Sequence, residues 1–253
     1  MGEAALGAFC WIELGTTDLA SARSFYTKLF GWTPQESPEY TVFLSGGQPA
    51  AGGYLLRPDQ RAEGVPPHWL LYVRVSDADV IAARAGQLGA RILAPVFDAM
   101  GQGRMAVIKD PAGAVFAIWQ PLAHPGFSAK GAGAFCWADL STPDQTRAGA
   151  FFGELLDWKL WFAPNDPAGY AHISIGGHPI GGMLPPSART PNTPPHWLIW
   201  IAVADCDATV AAAAAAGARI CAGAQTMEKV GRFAVLADPQ GACFGVITPA
   251  SRA

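Results

Sequence analysis

The chain repeats itself. GAFCWIEL at 7–14 returns as GAFCWADL at 133–140, 126 residues further on. PPHWLLYVRVSDAD at 66–79 returns as PPHWLIWIAVADCD at 194–207, and GRMAVIKDPAGAVFAIW at 103–119 as GRFAVLADPQGACFGVI at 231–247, each 128 residues on. The order is kept and the spacing drifts by two residues, so only short insertions separate two copies of one folding pattern. Whatever one half folds into, the other must fold into as well. The Gly- and Pro-rich stretch 121–133, PLAHPGFSAKGAG, reads as the joint between domain 1–122 and domain 131–253.

Each half divides again. FCWIELGTT alternates as a strand does, and Asp18 is placed to cap a helix over 19–30, which Gly31 stops in the left-handed conformation. Strands follow around YTVFLSG and AAGGYLL. After RPDQRAEGVPP the pattern restarts with strand HWLLYVRV, Asp77 as cap, a helix through Leu88 and Gly89 as stop. The last two strands, RMAVIK and AVFAIW, are joined by Asp110-Pro111-Ala112-Gly113, where Pro presets φ and Gly takes a positive φ. The second half repeats this plan with Asp144 and Asp205 as caps, Gly217 as a stop and an alanine run, Ala211 to Ala216, as a strong helix former. The unit is a strand, a helix and three strands (βαβββ), at about 7–58, 66–121, 133–186 and 194–249. Hairpins with helices on one face make the fold α+β.

Composition narrows the function. Apolar residues make up 51% and charged residues 15%, with a net charge of −3 and no Lys/Arg run. The electrostatic attraction that drives binding to nucleic acid or to an anionic membrane is therefore missing. No apolar stretch approaches the ~20 residues of a bilayer span, and MGEAALGAFCW lacks the features of a secretory leader. Five cysteines, Cys10, Cys136, Cys206, Cys221 and Cys243, are expected as reduced, mostly buried thiols of a cytoplasmic protein.

The motif D-x-x-x-A-x-x-F-Y-x-x-L-F-G-W at Asp18–Trp32, the strand-plus-acid HWLLYVRVSDAD, the helix stop LGARI and the hairpin GRMAVIKDPAGAVFAIW recur in this order over nearly the whole chain. The arrangement resembles the vicinal oxygen chelate superfamily, which includes glyoxalase I, bleomycin-resistance proteins and extradiol dioxygenases. The resemblance implies that two units pair and curl their strands into a cup that holds the ligand. Each half would then supply one cup, and the chain would be a monomer that looks like a covalently fused dimer, or a homodimer. It also implies a divalent metal held by His or Glu at four positions per cup. Those positions fall on Trp11 and Trp137, Leu70 and Leu198, Ala117 and Gly245, and near Gly52-Gly53 and Gly181-Gly182. None carries a ligand, so no metal centre of the usual kind and no cofactor is expected. A divalent metal at a displaced site is the alternative.

With the ligand positions facing the cup, alternation lines the first with Trp11, Glu13, His68, Leu70, Tyr72, Arg74 and Trp119, and the second with Trp137, Asp139, His196, Leu198 and Trp200. Cys10, Ile12, Leu14, Trp69, Leu71 and Val73 face the helices, which gives Cys10 and Cys136 structural roles. Such a lining suits a flat, partly apolar small molecule, aromatic in character, whether metabolite or antibiotic-like. The tryptophans could instead close the cups themselves. His68 and His196 would either bond a loop carbonyl at the strand start or touch ligand, and Glu13 would pair with Arg74 or meet His68. Arg104 and Arg232 are expected in salt bridges, and His172 and His178 in surface or loop roles. The favoured function is a metal-free, bleomycin-resistance-like binding protein. The alternative is an enzyme (lyase, isomerase, or dioxygenase/hydroxylase) using a displaced metal or Glu13 and His68 as an acid–base pair.

Overall fold

A computed structural model of the chain describes residues 4–37, 39–163, 169–190 and 192–250. The four-fold pattern is realised strand for strand. The first module runs β1 (Phe9–Thr16), α1 (Leu19–Phe30), β2 (Thr33–Glu36), β3 (Tyr40–Ser45) and β4 (Gln48–Leu55). A short helix, α2 (Pro58–Ala62), lies within the connecting segment RPDQRAEGVPP. The second module is β5 (His68–Arg74), α3 (Ala78–Gln87), β6 (Arg91–Asp98), β7 (Gly103–Lys109) and β8 (Val115–Pro121). The second half gives β9 (Phe135–Ser141), α4 (Gln145–Leu156), β10 (Lys159–Phe162), β11 (Ala171–Ile175) and β12 (His178–Leu184), then β13 (His196–Ala202), α5 (Cys206–Ala215), β14 (Arg219–Met227), β15 (Gly231–Ala237) and β16 (Cys243–Pro249).

Two mixed eight-stranded sheets result, ordered β2-β3-β4-β1-β5-β8-β7-β6 and β10-β11-β12-β9-β13-β16-β15-β14. Neither closes into a barrel. The parallel pairs are β1 with β4, β5 with β8, β9 with β12 and β13 with β16. The fold is α+β, as the pattern predicts. No helix among the described residues is long and apolar enough to cross a membrane.

The predicted caps are all formed. Asp18, Asp77, Asp144 and Asp205 accept the backbone N–H of Ser21, Val80, Arg147 and Ala208 at 2.9, 3.0, 2.9 and 3.0 Å. Each cap satisfies a donor that the first helical turn would otherwise leave exposed. Trp69, Leu71 and Val73 are buried, and Cys10 is too, its thiol pushed up to about 12 by burial. The cysteine expectation fails for three positions. Cys136, Cys221 and Cys243, on β9, β14 and β16, are exposed.

By contacts the chain forms two compact units that interleave its halves. One takes the chain up to Trp11, Leu70–Gly126 and Trp137–Leu198; the other takes Ile12–Trp69, Phe127–Cys136 and the chain from Ile199. The second of these is built around a buried hydroxyl. Trp69 Nε1 donates to Tyr26 Oη at 3.2 Å, and that hydroxyl donates to Asp238 Oδ2 at 3.0 Å. Asp238 Oδ1 accepts the N–H groups of Gln240, Gly241 and Ala242 at 3.0, 2.8 and 2.9 Å, so the DPQG turn is wound on its own carboxylate.

In the other unit Asp110 Oδ1 makes the same three bonds, to Ala112, Gly113 and Ala114. The repeat, however, puts Phe152 where Tyr26 stands. Asp110 Oδ2 and Trp197 Nε1 are then both buried without a partner, which marks the place of the missing hydroxyl at its two ends. Tyr26→Phe is expected to cost about 1–3 kcal/mol, because it orphans a buried donor and a buried acceptor. Phe152→Tyr is expected to gain about 0.5–1.5 kcal/mol by completing the network. Urea denaturation of the two variants beside the parent checks both signs.

Candidate functional site

One row of residues crosses four strands of the second half. In register, Trp161 on β10 faces His172 on β11, His172 faces Gly182 on β12, and Gly182 faces Asp139 on β9. Laterally paired residues share a sheet face, so an indole, an imidazole and a carboxylate are brought to one surface with a glycine between them. Tyr170 fills the space over that glycine, its ring standing where a Cβ at position 182 would be. Tyr170 Oη donates to Asp139 Oδ1 at 2.6 Å, and Trp137 Nε1 donates to Tyr170 Oη at 2.9 Å and to Asp139 Oδ1 at 3.2 Å. Burial, then the charge of Asp139, pushes the Tyr170 phenol well above its ordinary 10, so it remains a donor at neutral pH.

The imidazole of His172 is surrounded by rings. Its centroid lies 4.5 Å from Trp161, 5.0 Å from Tyr170 and 6.4 Å from Trp137. Asp139 is buried while Trp161 is 51% exposed, so the cluster has a wet aromatic rim over a polar floor. Trp137 and Asp139 are among the residues read from sequence. His172, expected in a surface role, belongs with them, and Tyr170 and Trp161 went unread. The pairing register was the signal: it aligns His172 and Trp161 with Asp139, whereas in the first half the same row reads Gln35, Val42, Gly52, Glu13.

The first-half aromatics are arranged differently. Trp11, Tyr72 and Trp119 are all buried. Tyr72 lies 6.1 Å from Trp119 and donates to Met105 Sδ at 3.9 Å, and the Trp119 indole rests on Gly103, where any Cβ would strike it. The linker adds His124, which contacts Trp11 at 4.4 Å between ring centroids. Arg74 ends β5, its backbone bonded to Gly7 and Ala8. Glu13 pairs in register with Gly52, and its charge adds to burial in raising the phenol of Tyr54.

His68 and His196 follow the strand-start reading, with Nδ1 2.8 Å from the carbonyls of Pro66 and Pro194. A carbonyl only accepts, so Nδ1 carries the proton and Nε2 is the basic nitrogen of each ring. His68 also crowds Gly15, together with Tyr54 and Leu56. Trp200 lies over Gly245 and 5.6 Å from Phe233, and its carbonyl accepts from the Cys136 thiol. Arg104 and Arg232 pair with Asp79 and Asp207 in the first turns of α3 and α5, the salt bridges expected of them.

Burial holds both His68 and His124 below the ordinary 6.5. Over the interval just below 6.5 the unfolded chain therefore binds more protons than the folded one, and stability falls as pH falls through it. The melting temperature is expected to drop on acidification from about 7.5 to about 5.5. His124→Phe, which keeps a ring without a titrating group, should flatten part of that slope. An unchanged slope in the variant would remove His124 from the account.

Comparison with known proteins places this geometry. Residues 8–118 match the Glyoxalase/Bleomycin resistance protein/Dioxygenase superfamily, and residues 137–247 match a Glyoxalase-like domain. The chain belongs to this superfamily. It is 36% identical over 249 residues to "Putative glyoxylase CFP32" of Mycobacterium tuberculosis, covering 95% of this chain and 94% of that protein. It is 33% identical to the anthracycline biosynthesis protein DnrV of Streptomyces peucetius, covering 98% and 95%. In fold it matches the Mn(II)-bound glyoxalase of Novosphingobium aromaticivorans, with a TM-score of 0.67 at 15% identity over 96% of this chain and 82% of that one. An extradiol ring-cleaving dioxygenase of B. fuscum also scores 0.67, at 16% identity over 98% and 73%.

The donor set of this superfamily member does not fit a divalent cation at the superfamily's usual positions. Gly245 lies beneath the Trp200 ring and Gly182 beneath Tyr170, so a ligating side chain at either position would collide with an aromatic one. Ala117 pairs with Tyr72, and Trp11 and Trp137 offer no lone pair for a metal. Among the described residues, no three His, Cys, Asp or Glu side chains gather closely enough to hold a metal ion.

Proposed function

We propose that the protein binds a flat, partly apolar small molecule in its second half, without a catalytic metal ion. The ligand stacks on Trp161 and His172 and directs its polar edge toward the Trp137–Tyr170–Asp139 network. The observation that carries this reading is the row from half-exposed Trp161 through His172 to buried Asp139, which joins an accessible ring surface to fixed polar atoms. Sites of this make-up bury rings for affinity and use a few placed polar groups for orientation. The relative named for anthracycline biosynthesis supports a planar polycyclic ligand, and the family's bleomycin-resistance members support binding as the function.

Titrating an anthracycline into the protein should quench tryptophan fluorescence saturably, with no chemical change in the ligand. Trp161→Ala should weaken that binding about tenfold or more, as loss of an interfacial aromatic anchor does. Equal affinity in the variant would sink the site. Elemental analysis of protein purified without chelators separates this reading from a metalloenzyme, since a stoichiometric transition metal would overturn it.

One observation favours an enzymatic reading. The Pro66 carbonyl fixes the His68 tautomer, and burial keeps the ring neutral near pH 7. With its Nε2 a ready base, His68 would act with Glu13 in acid–base catalysis. Glu13→Gln would then abolish turnover while leaving binding intact.

A further inference from the structure

The linker, residues 121–133, joins the two halves. Past Pro121 it turns back over the first half. Leu122 N and His124 N both donate to Gln102 O, at 3.0 and 2.9 Å, and Trp119 Nε1 donates to His124 O at 2.9 Å. The His124 ring then stands edge-on to Trp11, 4.4 Å away at 84°, and to Trp119, 6.0 Å away at 71°. Aromatic rings prefer these edge-to-face geometries whichever molecule carries them. At Gly126 the backbone takes φ +116, and a Cβ there would strike the Cys10 carbonyl, so this close approach depends on glycine.

Two further features describe a replaceable occupant. Leu122, Ala123 and Pro125 are exposed, which leaves His124 as the inward anchor of a shallow segment. His124 Nε2 is buried without a hydrogen-bond partner, so the imidazole is held by ring packing while its polar atom goes unmatched. Displacing the segment would also release Trp119 Nε1, a donor fixed in place because its indole lies on Gly103.

We propose that Trp11 and Trp119 form a second ring-binding slot, in which His124 of this chain is the built-in occupant. A flat heteroaromatic ligand with a hydrogen-bond acceptor takes the slot by displacing residues 122–126. The acceptor meets Trp119 Nε1, and the ring replaces the imidazole against Trp11. This slot is separate from the second-half site and stands whether or not that site binds.

His124→Gly removes the occupant, and imidazole is the probe. In the folded variant, imidazole is expected to raise the lowered melting temperature back toward the parent value with saturation, and to act on the parent only at higher concentration, since there it must first displace residues 122–126. Adding Trp11→Ala should abolish the rescue. A folded His124→Gly protein that does not respond to imidazole overturns the proposal. Where that variant fails to fold, fluorine NMR of the otherwise native chain labelled with 5-fluorotryptophan decides, in a Trp161→Ala background that silences the second-half site. Saturable shifts of the Trp11 and Trp119 resonances on adding benzimidazole support the slot. No shift of either, up to the solubility of the probe, refutes it.

Discussion

Two buried carboxylates hold the β7–β8 and β15–β16 hairpins in shape. Asp110 and Asp238 each gather three consecutive backbone N–H groups on one oxygen, and burial raises both acids while those donors pull them back. A four-residue turn cannot satisfy so many inward-facing donors with backbone alone, and leaving them bare inside the protein would cost more than burying the acid. The second oxygen then needs its own partner from whatever packs against the turn. For Asp238 that partner is the Tyr26 hydroxyl, which ties helix α1 to the β15–β16 turn by a directional bond as well as by ring packing among Trp32, Phe43, Trp69 and Phe244. For Asp110 the corresponding ring is Phe152, and packing alone remains.

A different constraint governs the concave strands. Glycines recur where this superfamily places metal ligands, and in the second half large rings lie over them: Tyr170 over Gly182, Trp200 over Gly245. Glycine and covering aromatic are interdependent, since neither a donor side chain nor a smaller ring would fill the same volume. Placing a metal ligand at either position would therefore take paired changes. A single substitution to His at Gly182 or Gly245 meets an aromatic ring before it meets a cation.

Much of the fold was legible because it is written four times. Helix caps, the glycine stops after α1, α3 and α5, and the DPxG turns depend on local geometry, and each residue type there has one mechanical reason to be present. The aromatic residues of the site were partly legible for the same reason, since alternation puts Trp137 and Asp139 on one face. What escaped depended on register and on chain paths. His172 has no histidine counterpart in the first half, and only the register of β10, β11, β12 and β9 joins it to Asp139. His124 lies in a segment whose glycines and prolines say only that the chain turns, not where it comes to rest. The exposed cysteines escaped too, because alternation names a face without saying whether anything covers it.

The two copies differ where scaffold demands are weakest. Across the matched rows Gln35, Val42, Gly52, Glu13 and Trp161, His172, Gly182, Asp139, the glycine and the acid are kept while the two outer positions change completely. The inner pair sits where parallel strands β1–β4 and β9–β12 run side by side, and a substitution there must be accommodated by neighbours on both flanks. Of the outer pair, Gln35 and Trp161 lie on the edge strands β2 and β10, where a side chain answers to solvent and to one neighbouring strand, and Val42 and His172 lie one strand further in. Ring surface at the edge can be accommodated without disturbing the turns and caps that fold the module. In this row the aromatic rim is therefore a feature of the second half alone. In the first half, rings from β1, β5 and β8 are joined by His124 of the linker instead.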